Sequence, residues 1–392
     1  MSVPILRASP STHRSGDHRS RMAFVAHCVA MSISASGLAN AQVVPNRPAG
    51  IGAISLAIPE ARETHVAERR FAPAIHIARD FLLHREHKTG LPALSVSVAV
   101  DGRIVWSEAF GYADVASRKR ATHETQFRIA SLSKNITGTA LGILIEQGKL
   151  DPDAPVSNYV GNLPSTIQSL TTRQIASHQS GIASYVDAAD EADMTAYATT
   201  TDALRKFIDR PLVHAPGAKE TYSTFAYTLL AAVIEGASGQ SYLDFVHDRI
   251  FVPLGMHATV PDRTGGVFRQ RAIPYGKADS NRVIRSPDIE LSGRWAGAGF
   301  LSTAEDLVRL GIAHTNGTIL RESTVDLLTS AQRMNDGALT KEGFGWGPRK
   351  DFLDRPVIWG NGRIEGPCPV RSTFTSRNGS TRGSPDGFLS RV

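Results

Sequence analysis

The sequence predicts an α/β chain of the α+β kind, and three stretches carry that expectation. Leu94 to Val100 and Arg103 to Phe110 are joined by Asp101-Gly102, the dipeptide of a two-residue hairpin turn. From Leu132, apolar residues recur at Ile136, Ala140 and Ile143/Leu144, the spacing of one buried helical face, and Gly148 is placed to end that helix. Ahead of the hairpin, Phe71, Ile75, Ile77, Ala78, Phe81 and Leu82 give a helical pattern over Glu63 to His87. The order is therefore helix, hairpin, helix.

The stretch Arg128-Ile129-Ala130-Ser131-Leu132-Ser133-Lys134 runs into the second of these helices. Ser131 falls at the helix start, and Lys134, three residues on, projects from the same side. The positive field of a helix N-terminus disfavours an ammonium and favours an oxyanion, so Lys134 can serve as a base and Ser131 as a nucleophile. Read alone, Ser-x-x-Lys also describes a helix cap followed by a solvated lysine.

The chain has 392 residues, 41% hydrophobic and 20% charged, the composition of an ordinary globular protein. Its net charge of +6 is no argument for nucleic acid or a membrane surface. Arg7, Arg14, Arg19, Arg21, Arg371, Arg377, Arg382 and Arg391 lie in terminal segments, and no RNA- or DNA-reading motif is present. Residues 22–41 are small and apolar, follow Arg19 and Arg21, and end Ala39-Asn40-Ala41, the layout of a signal peptide cleaved after Ala41. The polar lead from Met1 to Arg21 is an atypical extension of it. Periplasmic or secreted localisation is the expectation, without stable membrane insertion once the signal is removed. Of Cys28 and Cys368, only the second would remain, so no internal disulfide is expected. Residues 42–69, including the Pro/Gly/Ala-rich Pro45 to Ala61, read as a linker.

Beyond Gly148, Asp151 to Pro164 reads as a loop and Thr171 to Ser177 as a short helix leading to His178-Gln179-Ser180-Gly181, a structural turn. Asp187 to Asp193 begins an insertion expected over the cleft. A helix is expected over Phe225 to Glu235, ending at Gly236, and another starts at Ser241 with a Ser-x-x-Asp cap at Asp244. Tyr222, in the loop before the first of these, is placed to face Ser131. A phenol between Lys134 and a positive helix end would have its anion favoured, making it a proton acceptor from Ser131 or a donor to a leaving group.

Ser131-Leu132-Ser133-Lys134 followed by Tyr222-Ser223-Thr224 resembles the first two motifs of the serine β-lactamase and penicillin-binding-protein superfamily. His178-Gln179-Ser180-Gly181, Pro253-Leu254-Gly255-Met256 and Leu301-Ser302-Thr303-Ala304-Glu305-Asp306-Leu307 resemble its class C β-lactamase-related branch. That branch includes esterases, D-amino-acid peptidases and mitochondrial serine β-lactamase-like proteins. The resemblance covers roughly residues 70 to 366. It implies a β-lactamase/transpeptidase-like fold: a mixed, largely antiparallel sheet flanked by helices with an adjoining helical lobe. It implies acyl transfer to Ser131 with Lys134 and Tyr222 as the acid/base pair, a small-molecule or peptide substrate, and no metal or cofactor. Oligomeric state is left open.

The second motif departs from the family at Thr224, where Asn is usual; threonine offers a hydroxyl but no carbonyl. The third motif, a basic residue, a hydroxyl residue and Gly on a late strand, is matched only loosely. Trp359-Gly360-Asn361-Gly362 is the candidate: Gly360 stands for the base and Asn361 for the hydroxyl, with Gly366 following. A backbone N–H near Arg363 would then join that of Ser131 in an oxyanion hole. Lys88-Thr89-Gly90 copies the third motif literally but precedes Ser131 and reads as a loop. Gly236-Ala237-Ser238-Gly239 superficially matches a nucleophile elbow, but Gln240 stands where glycine is required, so it reads as a helix end.

Pro367 to Val392 is rich in Ser, Thr, Arg, Gly and Pro. The expectation is a non-family tail from a truncated or frame-shifted frame, lacking the family's two further strands and closing helix. The domain plan is thus residues 1–41 signal, 42–69 linker, 70–366 hydrolase domain and 367–392 tail. The competing function is a catalytically impaired member acting as a binding or scaffolding protein, which Gly360, Thr224 and the tail favour.

Overall fold

The computed structural model describes residues 54–55, 62–89, 91–277, 282–350, 356–364, 370–377 and 387–391. The segment read as a signal peptide lies outside them. In chain order the elements used below are β1 (Arg62–Ala67), α1 (Ala72–Thr89), β2 (Ala93–Val100), β3 (Arg103–Asp114), β4 (Phe127–Arg128), α2 (Ser133–Glu146), α3 (Phe225–Ser238), β5 (Val260–Pro261), β6 (Phe300–Ser302), α4 (Ala304–Thr315), β7 (Gly347–Lys350), β8 (Pro356–Ile364), β9 (Val370–Arg377) and β10 (Gly387–Arg391).

The main sheet runs β7-β8-β9-β10-β2-β3-β1, with every neighbouring pair antiparallel. Its hairpin turn forms at Asp101 and Gly102, with φ of 52° and 72°. Both residues are left-handed, as a type I′ turn requires and as Asp-Gly tolerates best. The pleat sorts β2 into two faces. Leu94 and Val96 join Trp106 and Phe110 of β3 under Ile75, Ala78 and Leu82 of α1. On the other face Ser107 of β3 donates to Glu305 of α4 at 2.6 Å. Helices therefore cover both sides of the sheet, as the resemblance implies.

Helix α2 is buried from Ser133 through Gly142 and again at Leu144, so it is the spine of the molecule. Leu132, Ile136, Ala140, Leu141 and Leu144 join the largest apolar cluster, together with Phe225, Leu229, Leu230, Val233 and Ile234 of α3. At its end Gly148 is left-handed at φ 66°, and Lys149 N–H returns to Leu144 O at 3.0 Å. A short sheet β4-β6-β5 lies beside its N-terminus.

Three segments depart from expectation. Arg62–Ala67, read as linker and then as helix, is the edge strand β1, paired to β3 from Phe110 to Trp106 with a register shift between Thr64 and Val66. The helical pattern counted into it from the apolar residues that follow, but α1 starts only at Ala72. Lys88 and Thr89, read as loop, close α1. The tail carries two sheet strands: β9 pairs with β8 from Val370 to Arg377, and β10 pairs with β2 from Gly387 to Arg391. A free edge on β2 demands backbone partners, and ladder bonds use main-chain groups that any non-proline residue supplies. The absence of an apolar alternation therefore did not preclude strands, and Val370, Thr373 and Thr375 already favoured them.

Candidate active site

Ser131 lies on a 3-10 turn, Ala130–Leu132, at the mouth of α2. Ala130 is fully buried and left-handed, φ 50°, a conformation that costs an L-residue about 1–2 kcal/mol and persists only when its surroundings hold it. The restraints are visible. Ile129 N–H donates to Phe300 O at 3.0 Å, Ser133 Oγ–H donates to Ala130 O at 2.7 Å, and Phe300 N–H donates to Ser133 Oγ at 3.3 Å. Strands β4 and β6 thus fix the turn that presents Ser131.

The three residues of the first two motifs meet there. Tyr222 O–H donates to Ser131 Oγ at 2.7 Å, and Lys134 Nζ stands 3.3 Å from the same oxygen. Lys134 Nζ donates to Gly297 O at 2.7 Å and lies 4.7 Å from the Tyr222 ring centre. Lys134 is 3% exposed. Burial lowers its pKa from 10.5 to about 7, against weaker opposing fields from Tyr185 and Glu342. Desolvation, ahead of the helix field invoked from the sequence, frees the amine as a base.

The Tyr222 pKa moves against the expected direction, leaving the donor role of the two that were expected. Burial of the phenol, helped by Glu342, pushes it up to about 12 despite the hydrogen bond to Ser131. The residue keeps 48% of its surface exposed, which tempers the size of that push but not its sign. Tyr222 is a neutral phenol near pH 7, a proton donor. The anion was expected beside a full positive charge, but that charge is itself weakened by burial at Lys134.

His178 supports the phenol. It is 2% exposed, left-handed at φ 62°, and its ring lies 4.4 Å from that of Tyr222, centre to centre. Ser223 N–H donates to its Nδ1 at 3.2 Å, and burial holds its pKa down to about 3, so it is a neutral wall. Thr224 sits at the start of α3, with its backbone N–H donating to Ser184 Oγ at 3.3 Å, and a Cβ built on Gly297 would meet its Cγ2 at 2.7 Å. Lys134 takes from Gly297 the carbonyl acceptor that threonine lacks.

The third-motif candidate arrives on β8, beside the Ser131 turn. Gly362 is required there: a Cβ would stand 2.1 Å from Ile129 O. Gly360 faces inward onto α2, where a Cβ would stand 2.6 Å from Asn135 Oδ1 and 2.8 Å from Leu132 Cδ2. A side chain at that position would have to displace the ends of Asn135 and Leu132. Asn361 is exposed, and Arg363 enters the ladder opposite Arg371.

Sequence reading missed Glu342. Its segment wraps the first turn of α2: Asn135 Nδ2 donates to Gly345 O at 2.9 Å, and Gly345, φ 77°, comes so close to Lys134 O that a Cβ would stand 2.2 Å away. The glycines at 343, 345 and 347 were the available signal of close backbone approach. Burial raises the Glu342 carboxyl to about 7, opposed by Arg349 and Lys134 and supported by Glu220. The Asp187–Asp193 insertion is tied down by Lys206 and Arg210 on Asp190, at 3.0 and 2.8 Å. A cavity of about 750 Å³ opens elsewhere, around His123, His257, Glu305 and Arg309, and no candidate catalytic residue lines it. Among the described residues no group of His, Cys, Asp or Glu is arranged to hold a metal, and no helix is long and apolar enough to cross a membrane.

A serine oxygen held between a buried amine and a neutral phenol is the arrangement of a serine–lysine acyl-transfer site. The chain belongs to the beta-lactamase family, whose model matches residues 76–360. The human serine beta-lactamase-like protein LACTB, mitochondrial, is 35% identical over 317 residues, covering 64% of this chain and 58% of that relative's length. Penicillin-binding protein 4* of Bacillus subtilis is 29% identical over 266 residues, covering 64% and 58%. In fold, the octameric penicillin-binding protein homologue from Pyrococcus abyssi superposes with a TM-score of 0.68 at 22% identity, over 81% of this chain and 73% of that one.

Proposed function

We propose that this chain is a working serine hydrolase that forms an acyl-enzyme on Ser131. The observation that carries the reading is the convergence of Tyr222 O–H and Lys134 Nζ on Ser131 Oγ, with the amine buried. Neutral Lys134 takes the Ser131 proton as Oγ bonds to the substrate carbonyl carbon. Tyr222 gives its proton to the leaving group as the tetrahedral intermediate collapses, and the proton on Lys134 returns to Tyr222. Water then repeats the sequence to release the acid. The backbone N–H groups of Ser131 and of β8 near Arg363 hold the oxyanion, a role supported by the close approach of Gly362 to the Ser131 turn.

Esters and simple amides suit this site better than β-lactams, because position 360 offers no cation for the carboxylate that β-lactams carry. That same lack favours the competing reading, a binding or scaffolding protein. Turnover of a chromogenic ester and a chromogenic cephalosporin, by the wild type and Ser131→Ala, separates the two. The expected result is ester hydrolysis that disappears in the variant, with the cephalosporin turned over poorly. Folded wild-type protein that hydrolyses neither would establish the non-catalytic reading.

A further inference from the structure

A proton donor must be held in place, yet Tyr222 is a half-exposed side chain. His178 grips the chain on both sides of it. Thr221 N–H donates to His178 O at 2.8 Å, and Ser223 N–H donates to His178 Nδ1 at 3.2 Å. The residues immediately before and after Tyr222 are thus tied to the backbone and to the ring of one histidine. That same ring packs on the phenol at 4.4 Å, tilted by 40°. The histidine is itself fixed. It follows the short helix Thr172–Ala176, whose start is closed by a capping box of Thr171 and Gln174, and its N–H returns to Ile175 O at 3.2 Å. Buried Tyr227 donates to Ala176 O at 2.7 Å and sets its ring 5.5 Å from that of His178. The position asks for an aromatic face together with an acceptor close to the backbone. Phenylalanine has no acceptor, tryptophan only donates, and asparagine has the acceptor without the ring.

We propose that His178 is a positioning residue for acyl transfer: through Thr221 and Ser223 it sets the Tyr222 O–H against the departing group, and so decides which leaving groups the site can expel. This rests on the acyl-enzyme reading above. An alkoxide leaves by taking the Tyr222 proton, whereas 4-nitrophenolate departs without one. A misplacement of about 1 Å in such a donor can cost on the order of a hundredfold in rate. Loss of the His178 clamp therefore narrows the site to activated esters rather than stopping it.

The test compares the ethyl and 4-nitrophenyl esters of one neutral acid, with kcat/KM as the readout because it reports acylation. His178→Phe keeps a ring and removes the acceptor for Ser223 N–H. His178→Asn keeps an acceptor and suits the left-handed backbone at φ 62°, but removes the ring. On the ethyl ester both variants are expected to lose about tenfold or more, and on the 4-nitrophenyl ester less than about threefold. In a Tyr222→Phe background His178→Asn should cost the ethyl ester less than about twofold, since the two residues act as a unit. Equal losses on the two esters, no loss on the ethyl ester, or an undiminished cost in the Tyr222→Phe background would overturn the proposal. So would failure of both single variants to fold, which would make His178 a residue of the fold alone. Labelling of Ser131 by a neutral fluorophosphonate distinguishes the failures, because fluoride leaves without a proton and the variants should still be labelled. Labelled proteins without the leaving-group split lose only this inference, whereas folded wild type that is not labelled loses the hydrolase reading and this inference with it.

Discussion

Replacing Lys134 with methionine isolates the cost of burying an amine beside Ser131. A lysine titrating near 7 in the folded chain and near 10.5 when unfolded binds fewer protons folded than unfolded between those values. Folding stability therefore rises with pH across that window, by up to 1.36 kcal/mol per pH unit. Below pH 7 the full charging penalty applies, on the order of 5 kcal/mol. At pH 7.5 roughly 4 kcal/mol of it remains, and at pH 9.5 roughly 1.5 kcal/mol. Methionine is close in shape and carries no charge, but it leaves Gly297 O without its donor, a loss of roughly 1–3 kcal/mol. Lys134→Met is thus expected to be more stable than wild type by roughly 1–3 kcal/mol at pH 7.5, and to fall between roughly 0.5 kcal/mol above and 1.5 kcal/mol below it at pH 9.5. Urea unfolding of both proteins at the two pH values measures this, since groups titrating alike in both cancel. The difference between the proteins should change by roughly 2.5 kcal/mol. Parallel stability curves, or a methionine variant that is weaker at both pH values, would refute a desolvated Lys134.

Other consequences concern rate and packing. For a neutral ester, kcat/KM should rise as pH increases through about 7, because the amine form of Lys134 is the base; a pH–rate profile that is flat from 6 to 8 would contradict that assignment. Tyr222→Phe should still be labelled at Ser131 but should lose about a hundredfold or more in kcat, since the phenol donates rather than accepts; stopped-flow measurement of acylation and steady-state turnover separates the two effects. Gly360→Lys, which restores the family's basic residue on paper, should destabilise the protein by roughly 1–3 kcal/mol through overpacking against Asn135 and Leu132, and should not improve turnover of a carboxylate-bearing ester. Thermal unfolding and the corresponding kcat/KM read both effects.

The parts of this molecule that sequence reveals are those set by short spacing. Ser131 and Lys134 share one helical turn, Asp101-Gly102 closes a hairpin, and Tyr222 precedes a helix whose apolar run is continuous. What escaped reading depends on distant segments meeting. Glu342 matters because residues 342–347 wrap the first turn of α2, and no local pattern fixes that. The sign of the Tyr222 shift was misjudged for the same reason: it is decided by burial and by Glu342, not by the residues beside it in sequence. The strands after Gly366 escaped because a ladder is a main-chain demand, set by the open edge of β2 rather than by the composition of the strand that fills it. Gly360 shows the converse. Aligning it with a motif placed it correctly on β8 but could not show that it faces Asn135 and Leu132.

The central claim is that Ser131 is an activated nucleophile. Its most direct test is covalent labelling of the purified, folded protein with a neutral fluorophosphonate, located by peptide mass spectrometry and compared with Ser131→Ala. The expected result is one equivalent of label on the peptide bearing Ser131, with a labelling rate that rises through about pH 7 and no label in the variant. Absence of label in folded wild-type protein, or label that persists in Ser131→Ala, would contradict the account.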